Sequence, residues 1–286
     1  MDVMKNPIYP CLWFDGNAEE AARLYCSAFS DTKMEECTPL VCTFSIKNKQ
    51  FMALNGGPVF RPNPSISFFT VCDSQQEIDH AWGLLGEGGN VLMPLDSYPW
   101  SKKYGWIHDK YGVSWQLTLN DQSSEDPDIF PSMMFVGPQN GNAEKAMNFY
   151  TTLFENSGVE LIVRYEAGDH DTEGNVKYSQ FHLKGYRLGA MDSSLPHDFE
   201  FNQGISLVLS CDTQEEIDFY WLNLTEGGKE SQCGWCQDSF GVWWQVVPSL
   251  LEVLMKDPVK APKVTEAFMK MRKFNIEELK KASEQP

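Results

Sequence analysis

The stretch GNAEEAARLY at residues 16–25 decides the fold, because it recurs as GNAEKAMNFY at residues 141–150 with six of ten positions identical. Two further blocks repeat in the same order. CDSQQEID at 72–79 returns as CDTQEEID at 211–218 with six of eight positions identical, and GWIHDKYGVSWQ at 105–116 returns as GWCQDSFGVWWQ at 234–245 with seven of twelve. Three matching blocks in one order indicate that the chain is a duplicated module.

Within a copy, a strand leads into a helix and then into further strands, and this order occurs twice. Residues 8–14 form an apolar run of strand length, and the helix that follows places its alanines and Tyr25 on one face. Residues 41–46 and 51–54 favour a hairpin. A second helix is capped near Ser74 and ends at a glycine pair, before two more strands. The pattern predicts an α+β fold.

The repeat also predicts the domain boundaries. We expect a first module at residues 1–121, a linker at 122–131, a second module at 132–248 and a helical tail at 249–286. The linker is placed by the polar stretch 120–128, which carries a proline and no apolar side chain. The tail holds eight of the 23 basic residues. We therefore expect it to dock on the acidic remainder of the chain or on a second copy of the chain.

Charge and hydropathy exclude several classes of partner. Forty acidic and 23 basic residues give a formal net charge of −17, which repels nucleic acid and anionic lipid surfaces. No window approaches the roughly 20 apolar residues that a bilayer span needs, and no leader pattern is visible. We therefore expect a cytoplasmic protein, and we expect its eight cysteines to be reduced thiols rather than a disulfide framework.

At this point the residues resemble a known family. LWFDGNAEEA at 12–21, DKYGVSWQ at 109–116 and MKMRKFNI at 269–276 resemble the PhnB-like branch of the vicinal oxygen chelate superfamily, which includes glyoxalase I, bleomycin-resistance proteins and extradiol dioxygenases. The branch is often labelled 3-demethylubiquinone-9 3-methyltransferase. The resemblance implies tandem modules, each made of two paired βαβββ units whose mixed sheet curls around a cleft, plus the helical tail.

The same resemblance implies a divalent metal held in the cleft by side chains from three strands. In this chain the last-strand position is Gln116 in the first copy and Gln245 in the second. The other positions fall on Ile8 or Pro10, Ile66 or Ser67, Met133 or Phe135, and Ile205 or Ser206. Neutral amides and hydroxyls are weak metal ligands. We therefore predict no cofactor, and a divalent metal held through atypical ligands is the alternative.

Two groups offer other chemistry. His108 next to Asp109 could work as an acid–base pair in the first copy, although a lone histidine on a strand is more often structural. Cys233 and Cys236 form a CxxC motif, but a zinc site needs a second ligand pair and a redox dithiol needs a helix N-terminus. We expect the two cysteines to be mostly buried thiols.

The last strand of each copy predicts ligand contacts. Alternation puts Ser114 and Gln116 in the first copy, and Trp243 and Gln245 in the second, on the face that lines the cleft. The tryptophan between each pair then points toward the helices. An aromatic wall beside one amide suits a flat ligand. The alternative is that Trp243 merely fills the second cleft.

The sequence contains no pattern typical of a binding site for a methyl donor, so it does not support the methyltransferase label. A Rossmann-type site needs a glycine-rich turn between a strand and a helix, whereas the glycines at 86–89 follow a helix. We therefore expect no methyl transfer from S-adenosylmethionine.

Three functional hypotheses remain. The first is a protein that binds a small apolar or aromatic molecule in its clefts without a strongly held metal. The second is an enzyme of the same fold, of the lyase, isomerase or dioxygenase type, that uses a metal or the pair His108 and Asp109. The third is a structural or interaction protein with filled clefts. Whether two chains form a homodimer is left open.

Overall fold

The computed structural model describes residues 6–120 and 128–284, which divide into two compact units between Ile205 and Ser206. The first unit contains β1 (Ile8–Phe14), α1 (Ala18–Ala28), β2 (Thr32–Cys37), β3 (Val41–Ile46), β4 (Lys49–Asn55), β5 (Ile66–Cys72), α2 (Gln75–Gly86), β6 (Asn90–Tyr98), β7 (Ser101–His108), β8 (Ser114–Leu119), β9 (Ile129–Val136), a 3-10 turn (Gly137–Gln139), α3 (Ala143–Leu153), β10 (Gly158–Arg164), β11 (Val176–Leu183) and β12 (Tyr186–Ser193). The second contains β13 (Ile205–Cys211), which begins at the boundary, α4 (Gln214–Thr225), β14 (Lys229–Glu230), β15 (Trp235–Gln237), β16 (Trp243–Pro248), α5 (Leu250–Met255), α6 (Ala261–Phe268) and α7 (Ile276–Glu284).

The first unit contains an eight-stranded mixed sheet that joins the two sequence copies. Its strand order is β10-β11-β12-β9-β5-β8-β7-β6. The second half of the first copy therefore shares a sheet with the first half of the second copy, through antiparallel pairing of β5 with β9 that places Ser67 opposite Ser132. The predicted α+β fold of repeated βαβββ units is confirmed. The resemblance implies that the two βαβββ halves of one copy pair with each other, whereas in this sheet a half of the first copy pairs with a half of the second.

Alternation along each strand directs neighbouring side chains to opposite faces of this sheet. The Trp115 ring of β8 lies 4.8 Å from the Tyr25 ring and 5.3 Å from the Phe29 ring, at the end of α1. Phe68 of β5 joins the same core, with its ring 5.3 Å from Trp115. Trp115 thus points toward the helices, as predicted, and the neighbouring Gln116 must point to the opposite face.

The opposite face is concave. The rings of Phe69 on β5 and Tyr178 on β11 lie 5.6 Å apart, although β9 and β12 run between their strands. In a flat sheet, three inter-strand steps of about 4.8 Å would separate them by about 14 Å. The sheet therefore curls. We call this surface the cleft face and define it by Ser67, Gln116 and Ser132.

The second unit has the strand order β14-β15-β16-β13, and the tail docks on it. The side chain of Gln214, at the start of α4, donates to the Phe274 carbonyl at 3.1 Å and accepts from the Ile276 amide at 2.9 Å. The Gly234 amide donates to the Arg272 carbonyl at 2.7 Å. Lys273 forms an ion pair with Asp218 at 2.6 Å. The tail is held by its own unit, which is one of the two docking sites that its amphipathic pattern leaves open.

The cysteines correct one expectation. Cys37 and Cys42 form a disulfide across the hairpin of β2 and β3, so the prediction of reduced thiols is wrong for this pair. Because the hairpin places the two residues directly opposite each other, a separation of five residues suffices. The other six cysteines lie outside any disulfide. Among them, Cys236 is buried and Cys233 is half-buried, as expected for the CxxC motif.

Three further predictions can be compared with the structure. Residues 122–127 of the linker lie outside the described residues, and Ile129 to Pro131 already belong to β9. The glycine cluster at 86–89 ends α2, where Gly88 has φ of +72° and the Gly89 amide donates to the Gly86 carbonyl, so it is a helix terminus, as predicted. Among the described residues, no helix has the length and apolarity needed to cross a membrane.

Candidate functional site

A buried chain of neutral hydrogen bonds crosses the cleft face. The amide nitrogen of Gln116 donates to Ser67 Oγ at 2.7 Å, and the Tyr104 hydroxyl donates to Gln116 Oε1 at 2.7 Å. Gln116 is 2% exposed and Tyr104 is 5% exposed. Burial raises the pKa of the Tyr104 phenol, which keeps it a neutral donor. Both polar atoms of the Gln116 amide group therefore have partners within the protein.

The hairpin of β7 and β8 supplies a second polar pair beside the first. Trp106 lies opposite Gln116 in the register, and its indole nitrogen donates to Ser114 Oγ at 2.7 Å. Ser114 is buried, whereas the Trp106 ring is half-exposed. The structure thus brings the predicted residues Ser114 and Gln116 together on the cleft face, and it adds Tyr104 and Trp106 to them.

One hydroxyl on the cleft face has no partner. Ser132 Oγ on β9 is buried and makes no hydrogen bond among the described residues. It lies against Gly189 of β12, where a Cβ would approach the hydroxyl to 2.8 Å. A buried polar atom without a partner costs about 1–3 kcal/mol relative to a satisfied one. This hydroxyl is therefore a polar group that a ligand could satisfy.

Aromatic rings surround these polar groups. Phe69 stacks on Phe130 with 5.2 Å between ring centroids, and its other neighbour is Tyr178 across the cleft face. Phe69, Tyr178 and Trp106 are each half-exposed. Apolar walls with a few fixed polar groups are typical of small-molecule sites.

The Asp109 carboxylate stabilises the turn between β7 and β8 through hydrogen bonds. Its Oδ1 accepts from the amides of Tyr111 at 2.8 Å and Val113 at 3.1 Å, and its Oδ2 accepts from the Trp115 indole at 3.0 Å. Burial raises the pKa of the Asp109 carboxyl, although these hydrogen bonds oppose the shift. His108 Nδ1 lies 3.4 Å from the Asp109 main-chain carbonyl. Their role as an acid–base pair stays a prediction.

The second unit repeats part of this arrangement. Gln245 donates to Ser206 Oγ at 3.0 Å, as Gln116 does to Ser67. Asp238 accepts from the Trp244 indole at 2.8 Å, as Asp109 does from Trp115. Trp243 is half-exposed and takes the position that Ser114 has in the first copy. The predicted residues Gln245 and Trp243 thus lie on one strand, two residues apart.

The side chains at the superfamily's metal positions do not fit a divalent metal. Gln116 and Ser67 are bonded to each other, and Ser132 adds only a neutral hydroxyl. Transition metals favour imidazole, thiolate or carboxylate donors. Within residues 6–120 and 128–284, no group of three or more histidine, cysteine, aspartate or glutamate side chains could hold a metal ion. No step of a reaction is therefore assigned to a metal.

The sequence interpretation missed Tyr104, Trp106 and Ser132. The positions of Tyr104 and Trp106 could have been predicted from the sequence. A tight turn at Tyr111 and Gly112 fixes the register of the hairpin, and this register sets Trp106 opposite Gln116. Ser132 could not be found in the same way, because it reaches the site through strand pairing between the two copies.

We expect Gln116→Leu to lower the unfolding free energy by about 2–3 kcal/mol, because it leaves the Tyr104 hydroxyl and the Ser67 hydroxyl without their buried partner. Urea unfolding followed by fluorescence measures this. Adding Tyr104→Phe should recover about 1 kcal/mol, since it removes one stranded donor. Gln75→Leu on the exposed side of α2 is the control, with a change within about 0.5 kcal/mol. Equal losses in the single and double variants would contradict the network.

Comparisons with known proteins identify the family and the type of fold. The sequence profile of the family described as 3-demethylubiquinone-9 3-methyltransferase matches residues 6–118 and 127–247. No curated protein matches the chain. A PhnB protein from Bacillus cereus is 38% identical over 39% of this chain and 98% of its own, with a TM-score of 0.36.

A glyoxalase I variant from Zea mays shares the fold over a longer span. It is 12% identical, covers 84% of this chain and 92% of its own, and has a TM-score of 0.56. A glyoxalase-related enzyme from Fulvimarina pelagi is 19% identical over 41% of this chain and 94% of its own, with a TM-score of 0.32. The maize comparison supports a glyoxalase-type fold and carries nothing about activity.

Proposed function

The chain belongs to the family described as 3-demethylubiquinone-9 3-methyltransferase, the PhnB-like branch of the glyoxalase fold, and from this premise we propose that its cleft face binds a small, flat, largely apolar molecule without a metal. The ligand is aromatic and carries one hydrogen-bonding oxygen.

The observation that carries the proposal is the unpaired Ser132 hydroxyl beside a completed neutral network. Gln116, Tyr104 and Ser67 satisfy one another, so the one polar atom of this cluster that lacks a partner is Ser132 Oγ. A single oxygen on a ligand would satisfy it, and the rest of the ligand would meet rings. Sites of this kind use few polar groups to orient an apolar molecule.

The aromatic rings supply the surface for such a molecule. Phe69, Tyr178 and Trp106 are half-exposed rather than sealed in the core, so they can stack on a planar ligand. The contact of Phe69 with Tyr178 must loosen to admit one. The competing hypothesis of a filled cleft predicts that it does not loosen, and the binding test separates the two.

The test compares two probes of equal shape in excess EDTA by isothermal titration calorimetry. 2-Naphthol carries a hydroxyl, and 2-methylnaphthalene carries a methyl group in its place. We expect 2-naphthol to bind the wild-type protein in one saturable class and more tightly than 2-methylnaphthalene. Ser132→Ala should abolish this preference while it leaves the binding of 2-methylnaphthalene unchanged.

A matched pair of variants assigns the site to one cleft. Trp106→Leu should weaken 2-naphthol binding, whereas Trp243→Leu in the second unit should not. Absence of saturable binding would contradict the proposal and favour a filled cleft. Binding that disappears on adding EDTA would contradict its metal independence. Loss with Trp243→Leu alone would place the ligand in the second unit and contradict the assignment to the cleft face.

A further inference from the structure

A cavity of about 560 Å³ lies where β9 and β12 end. These two strands are parallel neighbours, with Val136 opposite Ser193 at their carboxyl ends. We call it the end cavity; its lining is the turn after β9 and the segment 194–200 after β12. The volume falls within the roughly 300–1,000 Å³ typical of sites for small molecules. None of its lining residues belongs to the Gln116 network, so it is independent of the proposed function.

The segment that walls the end cavity is fixed at several points. The Ser194 amide donates to Asp171 Oδ2 at 3.0 Å, and His197 Nε2 lies 2.9 Å from Ser193 Oγ. The Glu200 carbonyl accepts from the Asn63 amide group at 3.0 Å. Such anchoring means that the wall does not have to be ordered when a ligand binds, which lowers the entropic cost of binding.

The charge of the end cavity is negative. Asp198 and Glu200 line it, and no lysine or arginine does. Among the described residues, neither carboxylate forms an ion pair with a lysine or arginine. Burial lowers the pKa of His197, so this imidazole is neutral near pH 7 and does not offset the two carboxylates. A cation entering the end cavity would supply the opposite charge that the protein itself does not provide.

Part of the remaining wall is apolar and aromatic. Phe199 lies with its ring 4.8 Å from the His197 ring, and Leu195, Pro138 and Val136 add apolar surface beside the polar Asn140 and Ser194. An aromatic ring favours an ammonium group placed over its face. An anionic ligand would be repelled by the carboxylates, and an uncharged one would leave them paired with water alone.

We infer that the end cavity binds a small organic amine, whose ammonium group pairs with Asp198 and Glu200 and whose apolar part packs on Phe199 and Leu195. The chemical class is a protonated primary amine on a short apolar or aromatic body. No carboxylate or phosphate is expected on the ligand, because the lining offers no lysine or arginine to pair with it.

The experiment uses 2-phenylethylamine and its uncharged analogue 2-phenylethanol, titrated into the full chain at pH 7 and followed by ligand-observed NMR. We expect the amine to bind in one saturable class and the alcohol at least about tenfold more weakly. The double variant Asp198→Asn with Glu200→Gln should weaken amine binding by about tenfold or more and leave alcohol binding unchanged. Both residues are exposed, so the substitutions should not disturb folding.

A matched control removes the same charge elsewhere. Glu87→Gln with Glu155→Gln also deletes two exposed carboxylates, which tests whether overall charge alone attracts the amine. We expect this variant to bind 2-phenylethylamine as the wild type does. Equal weakening in the two double variants would overturn the inference, and so would equal binding of amine and alcohol or no saturable amine binding.

Discussion

Asp109→Ala is expected to lower the unfolding free energy by about 3–5 kcal/mol, because it strands three donors at once. The Trp115 indole nitrogen and the Val113 amide are buried, and both donate to this carboxylate, as does the Tyr111 amide. Urea unfolding monitored by near-ultraviolet circular dichroism measures the loss, since Trp115 is part of the aromatic core.

Two companion variants make this prediction specific. Asp238→Ala should cost a similar amount in the second unit, because Asp238 accepts from the Phe240 and Val242 amides and the Trp244 indole in the same way. His108→Ala should cost less than about 1 kcal/mol, because the approach of its imidazole to the Asp109 carbonyl, at 3.4 Å, is too long for a strong hydrogen bond. A stable Asp109→Ala protein would show that the carboxylate is free for another role, such as acid–base work with His108.

Glu77→Gln is expected to lower the unfolding free energy by about 3–5 kcal/mol, because it removes the charged partner closest to a buried ammonium group. The Lys47 side chain is 2% exposed and lies 2.9 Å from Glu77, whose side chain is 9% exposed. The other carboxylate near Lys47 is Asp73 at 3.8 Å. Ser30 and the Asp73 amide also donate to Glu77, at 2.6 Å and 2.7 Å, so the group joins the end of α1 to the start of α2.

The pH dependence of this pair has a definite sign. Burial alone would raise the pKa of Glu77, but the hydrogen bonds from Ser30, Lys47 and Asp73 outweigh it and hold the pKa below its usual value of 4.5. The stabilisation is therefore present above the pKa of the unfolded chain and is lost as the pH falls through the lowered pKa of the folded state.

Denaturant unfolding of the wild type and Glu77→Gln across this acid range checks both points. The difference in unfolding free energy between the two proteins should be largest near neutral pH and should decrease in acid. Glu19→Gln removes an exposed ion pair with Arg23 and serves as the control, with a change within about 1 kcal/mol. A gap that stays constant down to strong acid would contradict the role of the Glu77 charge.

The sequence predicted the parts of the fold that are local or repeated. The duplicated blocks indicated four similar units, and alternation put Trp115 and Gln116 on opposite faces of β8. Apolar spacing predicted the tail helices. Each of these depends on residues close in the chain, for which periodicity is a sufficient guide.

The parts that depend on distant pairing were not predictable in this way. Pairing of β5 with β9 brings Ser132 to Ser67 across the boundary between copies, and a self-alignment carries no information on such a contact. The disulfide of Cys37 and Cys42 needed the register of β2 and β3. Asp109 did carry a signal, because its counterpart Asp238 recurs within the same motif although His108 does not, which favours a structural role for the aspartate.

The central feature of the cleft face is its organisation by neutral hydrogen bonds instead of metal ligands. Equilibrium dialysis of the full chain against Zn²⁺ and, separately, Ni²⁺, with metal content read by plasma mass spectrometry, tests this directly. We predict far less than one equivalent of either metal per chain, and no difference between the wild type and Gln116→Ala. One tightly held equivalent that is lost in Gln116→Ala would contradict the account.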